Sequence, residues 1–358
     1  LHTGLPEGRA GHRPHTAQPD GKQVPIADTQ PDRGENMRSL YWRPAPLPPL
    51  PHVPNPTPET QVPSMDSAAV GRWARLSTAP SPWLHDEVGT RMAQRLNWIK
   101  ATPASWLDWS PLRGGAAADQ LVPGLYKKSK QLLPSSLSNE EMIAIKKLDG
   151  DRQGFWARLT GQGRTPASPD TRVGMVWANM CLHDTHLPRT MMRQWHRHLD
   201  VDGFLMFSCL GPDTLTELRA VYARQGWAPP CHAFTDMHDW GDMLVECGFD
   251  APVMDVERIV LSYATAERLL QDLRQFGRNL NVERSRITRG RHWRGQLVAA
   301  LEAGLPRTPD GQMTLTFEVI YGHAFKPLPR VKVADSSAVS LADMKQMLGA
   351  SQPPGSRR

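Results

Sequence analysis

Cysteine is scarce in this chain: Cys181, Cys209, Cys231 and Cys247 are the only four among 358 residues, and none stands in C-x-x-C spacing. No disulfide framework is therefore expected, and the thiols read as reduced and structural. Also missing is any apolar stretch near the ~20 residues that a bilayer crossing requires. No succession of charged, apolar and small residues opens the sequence as a secretory signal would. These absences favour a soluble, cytoplasmic protein with no membrane partner. The formal charge is +6, yet the basic residues are scattered and mostly arginine. No run of them would follow a phosphate backbone, so no nucleic-acid partner is expected.

Apolar residues are few as well, 39% of a chain with 33 prolines, which is low for a chain folded from end to end. Residues 1–64 hold fourteen of those prolines, including Pro44-Ala45-Pro46-Leu47-Pro48-Pro49-Leu50-Pro51. Such a segment cannot bury enough apolar surface to offset the entropy of ordering it. A solvated Pro-rich tail is the expectation, with an SH3-type ligand as the alternative. Because residues 1–64 offer no core, a chain begun at Met65 should fold as stably as the whole. Residues 65–350 are expected to form one domain and 351–358 a short disordered tail.

What the chain does contain is a strand, helix and strand within residues 173–215. Two short apolar runs, 175–178 and 204–210, flank an amphipathic segment, 189–199, that sets Met192, Trp195, His196 and Leu199 on one face. A strand–helix–strand unit of that size demands a parallel sheet covered on both faces. Ligands in such sheets sit beyond the carboxyl ends of the strands, which here carry residues 179–183 and 208–213.

Elsewhere, Leu84, Val88, Met92, Leu96 and Ile99 recur at helical spacing over 83–99, after a shorter helical pattern that begins at Asp66. Residues 105–109 form a candidate first strand, followed by a turn and a helix that starts at Ala116. Residues 142–145 could be a second strand, while 161–170 reads as a loop. Asp213 is expected to cap a helix over 213–222, Asp236 another that ends at Gly248, and Thr265 a third over 266–276. A sixth strand is expected over 252–263, and the strict alternation of 313–326 makes it the clearest strand in the chain. The Arg-dense stretch 279–294 reads as a solvated connector, or else a site for an acidic partner. His232, Asp236, His238 and Asp239 have metal-ligating side chains, but Asp236 and Asp239 are well placed as N-cap and third-position acid of a helix, so no metal is expected there. The same holds for His183 and His186.

The stretch VWANMCLH, continued by LPRTMMRQWHRHLDVDGFLMFSCLGPDTLTELRAVY, resembles class I S-adenosylmethionine-dependent methyltransferases. Within them it is most similar to the malonyl-acyl carrier protein O-methyltransferases of biotin synthesis in their β-proteobacterial form. The likeness covers roughly residues 65–348, strong over 176–325 and poor over 116–171. The stretch from Met65 to Trp73 resembles the family's amino terminus, which implies that much of 1–64 is sequence upstream of the true start. It implies an α/β, doubly wound, Rossmann-like fold whose seven-stranded sheet is mostly parallel, with an antiparallel last strand inserted beside the fifth. It also implies that the two amino-terminal helices cover a cofactor cleft, although each could simply pack on the sheet.

The implied cofactor is S-adenosylmethionine, and the residues carried onto its site are Asp108, Gly114, Gly115, Trp177 and Asn179. The turn Asp108-Trp109-Ser110-Pro111-Leu112-Arg113-Gly114-Gly115 departs from the family, because Ser110 and Leu112 replace two glycines and Pro111 fixes φ. No acid at the end of a second strand offers itself as a ribose ligand. The implied partner is an acyl carrier protein thioester, methylated on its free carboxylate. That nucleophile needs no general base, which agrees with the absence of a catalytic triad or of paired carboxylates. Arg219, Arg224, Arg278 and Lys326 are candidates for pairing with the substrate. The departures in the turn leave an alternative: a catalytically silent relative that uses the fold as a binding or assembly module.

Overall fold

The computed structural model describes residues 64–75, 81–152, 164–287 and 290–329. The Pro-rich segment up to residue 63, the first three positions of the loop at 161–170, and residues 330–358, which include the tail 351–358, lie outside the described residues. Seven strands form one sheet: β1 (Ser105–Asp108), β2 (Lys130–Leu133), β3 (Thr165–Pro166), β4 (Val173–Ala178), β5 (Leu199–Leu210), β6 (Asp250–Tyr263) and β7 (Met313–Phe325). Their order is β3-β2-β1-β4-β5-β7-β6. The first five pair in parallel, while β7 runs antiparallel between β5 and β6. This is the doubly wound sheet expected, and its order reverses between β1 and β4.

Strict alternation along the central strands builds the two layers. Trp106, Met175, Trp177, Phe204 and Met206 point to one face, where they meet α2 (Trp83–Arg95), α7 (Thr216–Arg224), α9 (Ala266–Phe276) and α10 (Arg291–Gly304). Leu107, Val176, Ala178, Leu205 and Phe207 point to the other, against α6 (Pro188–His198) and α8 (Met237–Glu246). Met192 and Trp195 of α6 are fully buried there, each contributing about 1.5–3 kcal/mol through the water it leaves. On the first face, Arg95 of α2 lies 3.8 Å above the Tyr321 ring and pairs with Asp255 of β6 at 2.5 Å.

The caps at Asp236 and Thr265 form as expected, through bonds from the His238 and Arg268 amides. Three expectations fail. Residues 142–145 are not a strand but part of helix α5 (Asn139–Arg152): Ile145 is buried while Ile143 is 67% exposed, a helical and not an alternating pattern. The second strand is instead the short Lys130–Leu133, buried only at its carboxyl end. Asp213 does not cap a helix, because α7 starts from Leu215 in the left-handed region. Asp213 instead pairs with Arg258, and its amide donates to Glu318. Nor is the start of 279–294 a free connector. Leu280 is fully buried, and Arg284 pairs with Asp66 at 2.7 Å ahead of α1 (Ser67–Arg75).

Candidate functional site

The residues assigned to the cofactor meet at the carboxyl edge, between β1 and β4. Asp108 ends β1 beside Trp177, and the next amide, Trp109 N–H, donates to Trp177 O at 2.8 Å. Asp108 is buried. Burial first, and Asp119 second, push its carboxyl up to about 8, against the opposing pull of Arg164. Gln131 bridges Asp108 and Asp119, and Arg164 pairs with Asp119 and Asp149 at 2.7 and 2.6 Å.

The turn after Asp108 closes on itself, since Gly114 N–H donates to Ser110 O at 2.7 Å. A Cβ on Gly114 would stand 2.6 Å from that same oxygen, and one on Gly115, whose φ is +94°, 2.8 Å from His85 O. The glycines thus serve close packing of the turn against α2. Leu112 points into the notch between the ends of β1 and β2, buried against Leu133 and Ile145.

Asn179 follows β4. Its Nδ2 donates to His85 O of α2 at 2.8 Å and also to Gly114 O, and its Oδ1 accepts from Ser208 Oγ at 2.5 Å. Helix α2 comes this near because it carries Gly89, where a Cβ would lie 2.9 Å from both Ala117 Cβ and Asn179 Nδ2. Sequence reasoning missed His85 and Gly89; a glycine in the middle of an amphipathic helix was the available signal. Trp177 is fully buried, with its indole N–H unpartnered.

The five assigned residues are therefore brought together, but around one another. A nucleoside donor would need free turn amides, an acid after β2 and space between the turn and its neighbours. Here the Gly114 amide is taken and Asn179 is spent on protein partners. Strand β2 runs into Pro134, Ser135 and Ser136, with no acid, and Leu112 fills the notch. To receive S-adenosylmethionine here, the turn and Asn179 would have to give up these contacts.

A second site opens at the ends of β4 and β5. A cavity of about 120 Å³ is lined by Leu210, Leu218, Phe234, Phe276 and Phe317, with Arg278 and His232 on its wall. Asp184 also lines it, and accepts from Arg113 at 3.1 Å and from the Trp73 indole at 3.0 Å. Burial would raise the Asp184 carboxyl, but His183, Arg113 and Trp73 outweigh it and hold it below its ordinary value. Burial lowers His183 to about 4 and lowers His232 as well, so both imidazoles are neutral near pH 7. His232 Nε2 bonds the His183 carbonyl at 2.9 Å and must carry the proton, leaving Nδ1 a buried acceptor without a partner.

Of the four basic candidates, only Arg278 lines this cavity. Lys326 sits at the amino edge of the sheet, where it donates to the His196 and Leu199 carbonyls at 2.9 and 2.6 Å and closes the end of α6. Arg219 and Arg224 donate to the carbonyls of Pro212 and Gly304. At the start of α8 Asp236 is half-buried and His238 exposed, while His232 is buried, and the described residues contain no cluster of three or more potential metal ligands.

No family model matches the chain. Individual proteins do. The malonyl-[acyl-carrier protein] O-methyltransferase of Laribacter hongkongensis (strain HLHK9) is 37% identical over 270 residues, which are 70% of this chain and 86% of that protein. The protein of the same name from Gallionella capsiferriformans (strain ES-2) is 36% identical over 273 residues, 73% of this chain and 90% of that one. Among solved structures, the YcgJ protein of Bacillus subtilis covers 66% of this chain at 12% identity with a TM-score of 0.43, too distant a likeness to bear on function.

Proposed function

The chain belongs to the malonyl-[acyl-carrier protein] O-methyltransferases, and from that premise we propose that it methylates the free carboxylate of a malonyl thioester carried by an acyl carrier protein. The methyl donor in this reading is S-adenosylmethionine, which supplies a methyl group activated on a sulfonium, and the product serves biotin synthesis. The observation that carries the reading is 37% identity extending over 86% of the Laribacter protein. The chemistry of the second cavity agrees with it. A carboxylate is already a nucleophile, so the protein has only to hold it, orient it and keep water away. The cavity offers apolar walls, a guanidinium and neutral imidazoles, and its one carboxylate, Asp184, is already engaged by Arg113 and Trp73. None of the four cysteines is in a disulfide, which agrees with a reducing, cytoplasmic setting, and among the described residues no helix is long and apolar enough to cross a membrane.

The turn after β1 has to open before a donor can enter, because the Gly114 amide and Asn179 are engaged with protein partners and Leu112 is buried against Leu133 and Ile145. That observation favours a second reading, a methyltransferase-fold chain that binds without catalysing. Isothermal titration of the full chain with S-adenosylmethionine separates the two. The first reading expects a saturable heat, weaker than for an intact glycine turn. The second expects no heat, and no thermal stabilisation, at millimolar donor.

A further inference from the structure

We infer that Arg278 is the group that pairs with the substrate carboxylate, making the cavity at the ends of β4 and β5 a site for a short acyl chain that ends in a carboxylate. This rests on the methyltransferase reading for the identity of the acyl group, but the site itself stands on charge and shape. Two guanidiniums flank the Trp73 indole, Arg113 at 3.9 Å and Arg278 at 4.9 Å from its ring centroid. One carboxylate serves them, Asp184, and it is engaged by Arg113 and by Trp73 Nε1. The imidazoles of His183 and His232 are neutral. One positive charge is thus left over on the wall of a cavity whose single carboxylate, Asp184, is already engaged, and among the described residues Arg278 forms no ion pair.

Arg278 also has a structural task. Its Nη1 donates to the Gly277 carbonyl at 2.8 Å and to that of Arg274, closing the end of α9. That contact uses one nitrogen of a rigid fork and anchors the guanidinium against the cavity wall, leaving its remaining edge to meet two carboxylate oxygens or one. The cavity of about 120 Å³ has room for a malonyl group. The buried Nδ1 of His232 supplies an acceptor on the same wall for an N–H of the thioester arm. Acetyl and malonyl thioesters differ only in the terminal carboxylate, so the charge at Arg278 decides between them.

The test uses the full chain with malonyl-pantetheine and acetyl-pantetheine as probes, titrated by ligand-detected NMR, beside methyl transfer to malonyl-acyl carrier protein. The wild type is expected to bind the malonyl probe at least about tenfold more tightly than the acetyl one. Arg278→Gln should erase that preference and raise KM for the carrier substrate by about tenfold or more with a smaller fall in kcat. Arg278→Lys should restore part of it, and an unchanged melting curve for Arg278→Lys shows that α9 remains closed. A malonyl preference that survives Arg278→Gln overturns the proposal, as does its absence from the wild type. If the wild type methylates the carrier substrate and Arg278→Gln leaves KM unchanged, the proposal falls and the methyltransferase reading stands. If the preference depends on Arg278 but no methyl transfer occurs, the carboxylate site stands and the methyltransferase reading falls.

Discussion

Replacing Ser110 and Leu112 by glycine should weaken the folded protein and strengthen its hold on the methyl donor. Leu112 is 5% exposed and packs on Leu133 and Ile145, so cutting it back forfeits the transfer free energy of a buried leucine and leaves a cavity. Leucine-to-alanine changes at such sites cost about 2–5 kcal/mol, and glycine adds roughly 0.5–1 through backbone entropy. Ser110 contributes little to the core, so the double substitution should cost about 3 kcal/mol. In a domain of this size that is a fall in melting temperature of roughly 6–12 °C.

The ligand responds in the opposite direction. The emptied notch lies at the turn where a donor must approach the backbone, and two glycines free that turn to expose its amides. A gain of ~1.4 kcal/mol, tenfold in affinity, is the least expected. Differential scanning fluorimetry with and without S-adenosylhomocysteine reads both effects in one experiment, and calorimetric titration gives the affinities. At ligand concentrations about a hundredfold above Kd, the variant should recover ~2.7 kcal/mol of its lost stability. The reasoning is refuted if the wild type already binds tightly and the double substitution leaves affinity unchanged. It is equally refuted if the variant melts where the wild type does, since Leu112 would then not be the plug described.

Other consequences follow from the same contacts. Gly89→Ala, ordinarily favourable within a helix, should destabilise by about 1–3 kcal/mol in urea unfolding, because its Cβ would press on Ala117 and Asn179 at 2.9 Å. Asn179→Ala leaves the His85 and Gly114 carbonyls and Ser208 Oγ without their partner, and should cost about 2–4 kcal/mol by the same assay. Asp108 gives a pH signature: its folded pKa of about 8 lies above the ordinary 3.8, so its stabilising effect is complete below pH 4 and disappears as pH rises through 8. Urea midpoints should therefore fall between pH 5 and pH 8.5 more steeply in the wild type than in Asp108→Asn; parallel slopes would refute the assignment.

How much of this could be read in the sequence depended on how many residues carried each signal. The central strand–helix–strand unit and β7 were legible because long alternating runs leave one solution, with Trp177 and Ala178 on opposite faces of a covered sheet. Strand β2 was not, since Lys130 and Gln131 are polar and only Leu132 and Leu133 enter the core. Four apolar residues in a row at 142–145 imitated a strand, although Met142, Ile145 and Leu148 follow a helical period. At the site, the chemical departures of the turn were visible in Ser110, Pro111 and Leu112. Their consequence was not, because the packing of Leu112, Gly89, His85 and Asn179 joins segments up to 94 residues apart in sequence. The Arg113, Asp184 and Arg278 group was hidden for the same reason, as each comes from a different loop.

The central claim is methyl transfer to a carrier-bound malonyl carboxylate. Its most direct test incubates the purified full chain with methyl-labelled S-adenosylmethionine at millimolar concentration and malonyl-acyl carrier protein, and weighs the carrier protein by intact mass spectrometry. The account predicts a single added methyl ester on the malonyl form, none on the acetyl form, and a rate that climbs with donor well beyond the concentrations at which an intact glycine turn would saturate. A malonyl carrier protein whose mass stays unchanged under those conditions, with the chain folded, would contradict it.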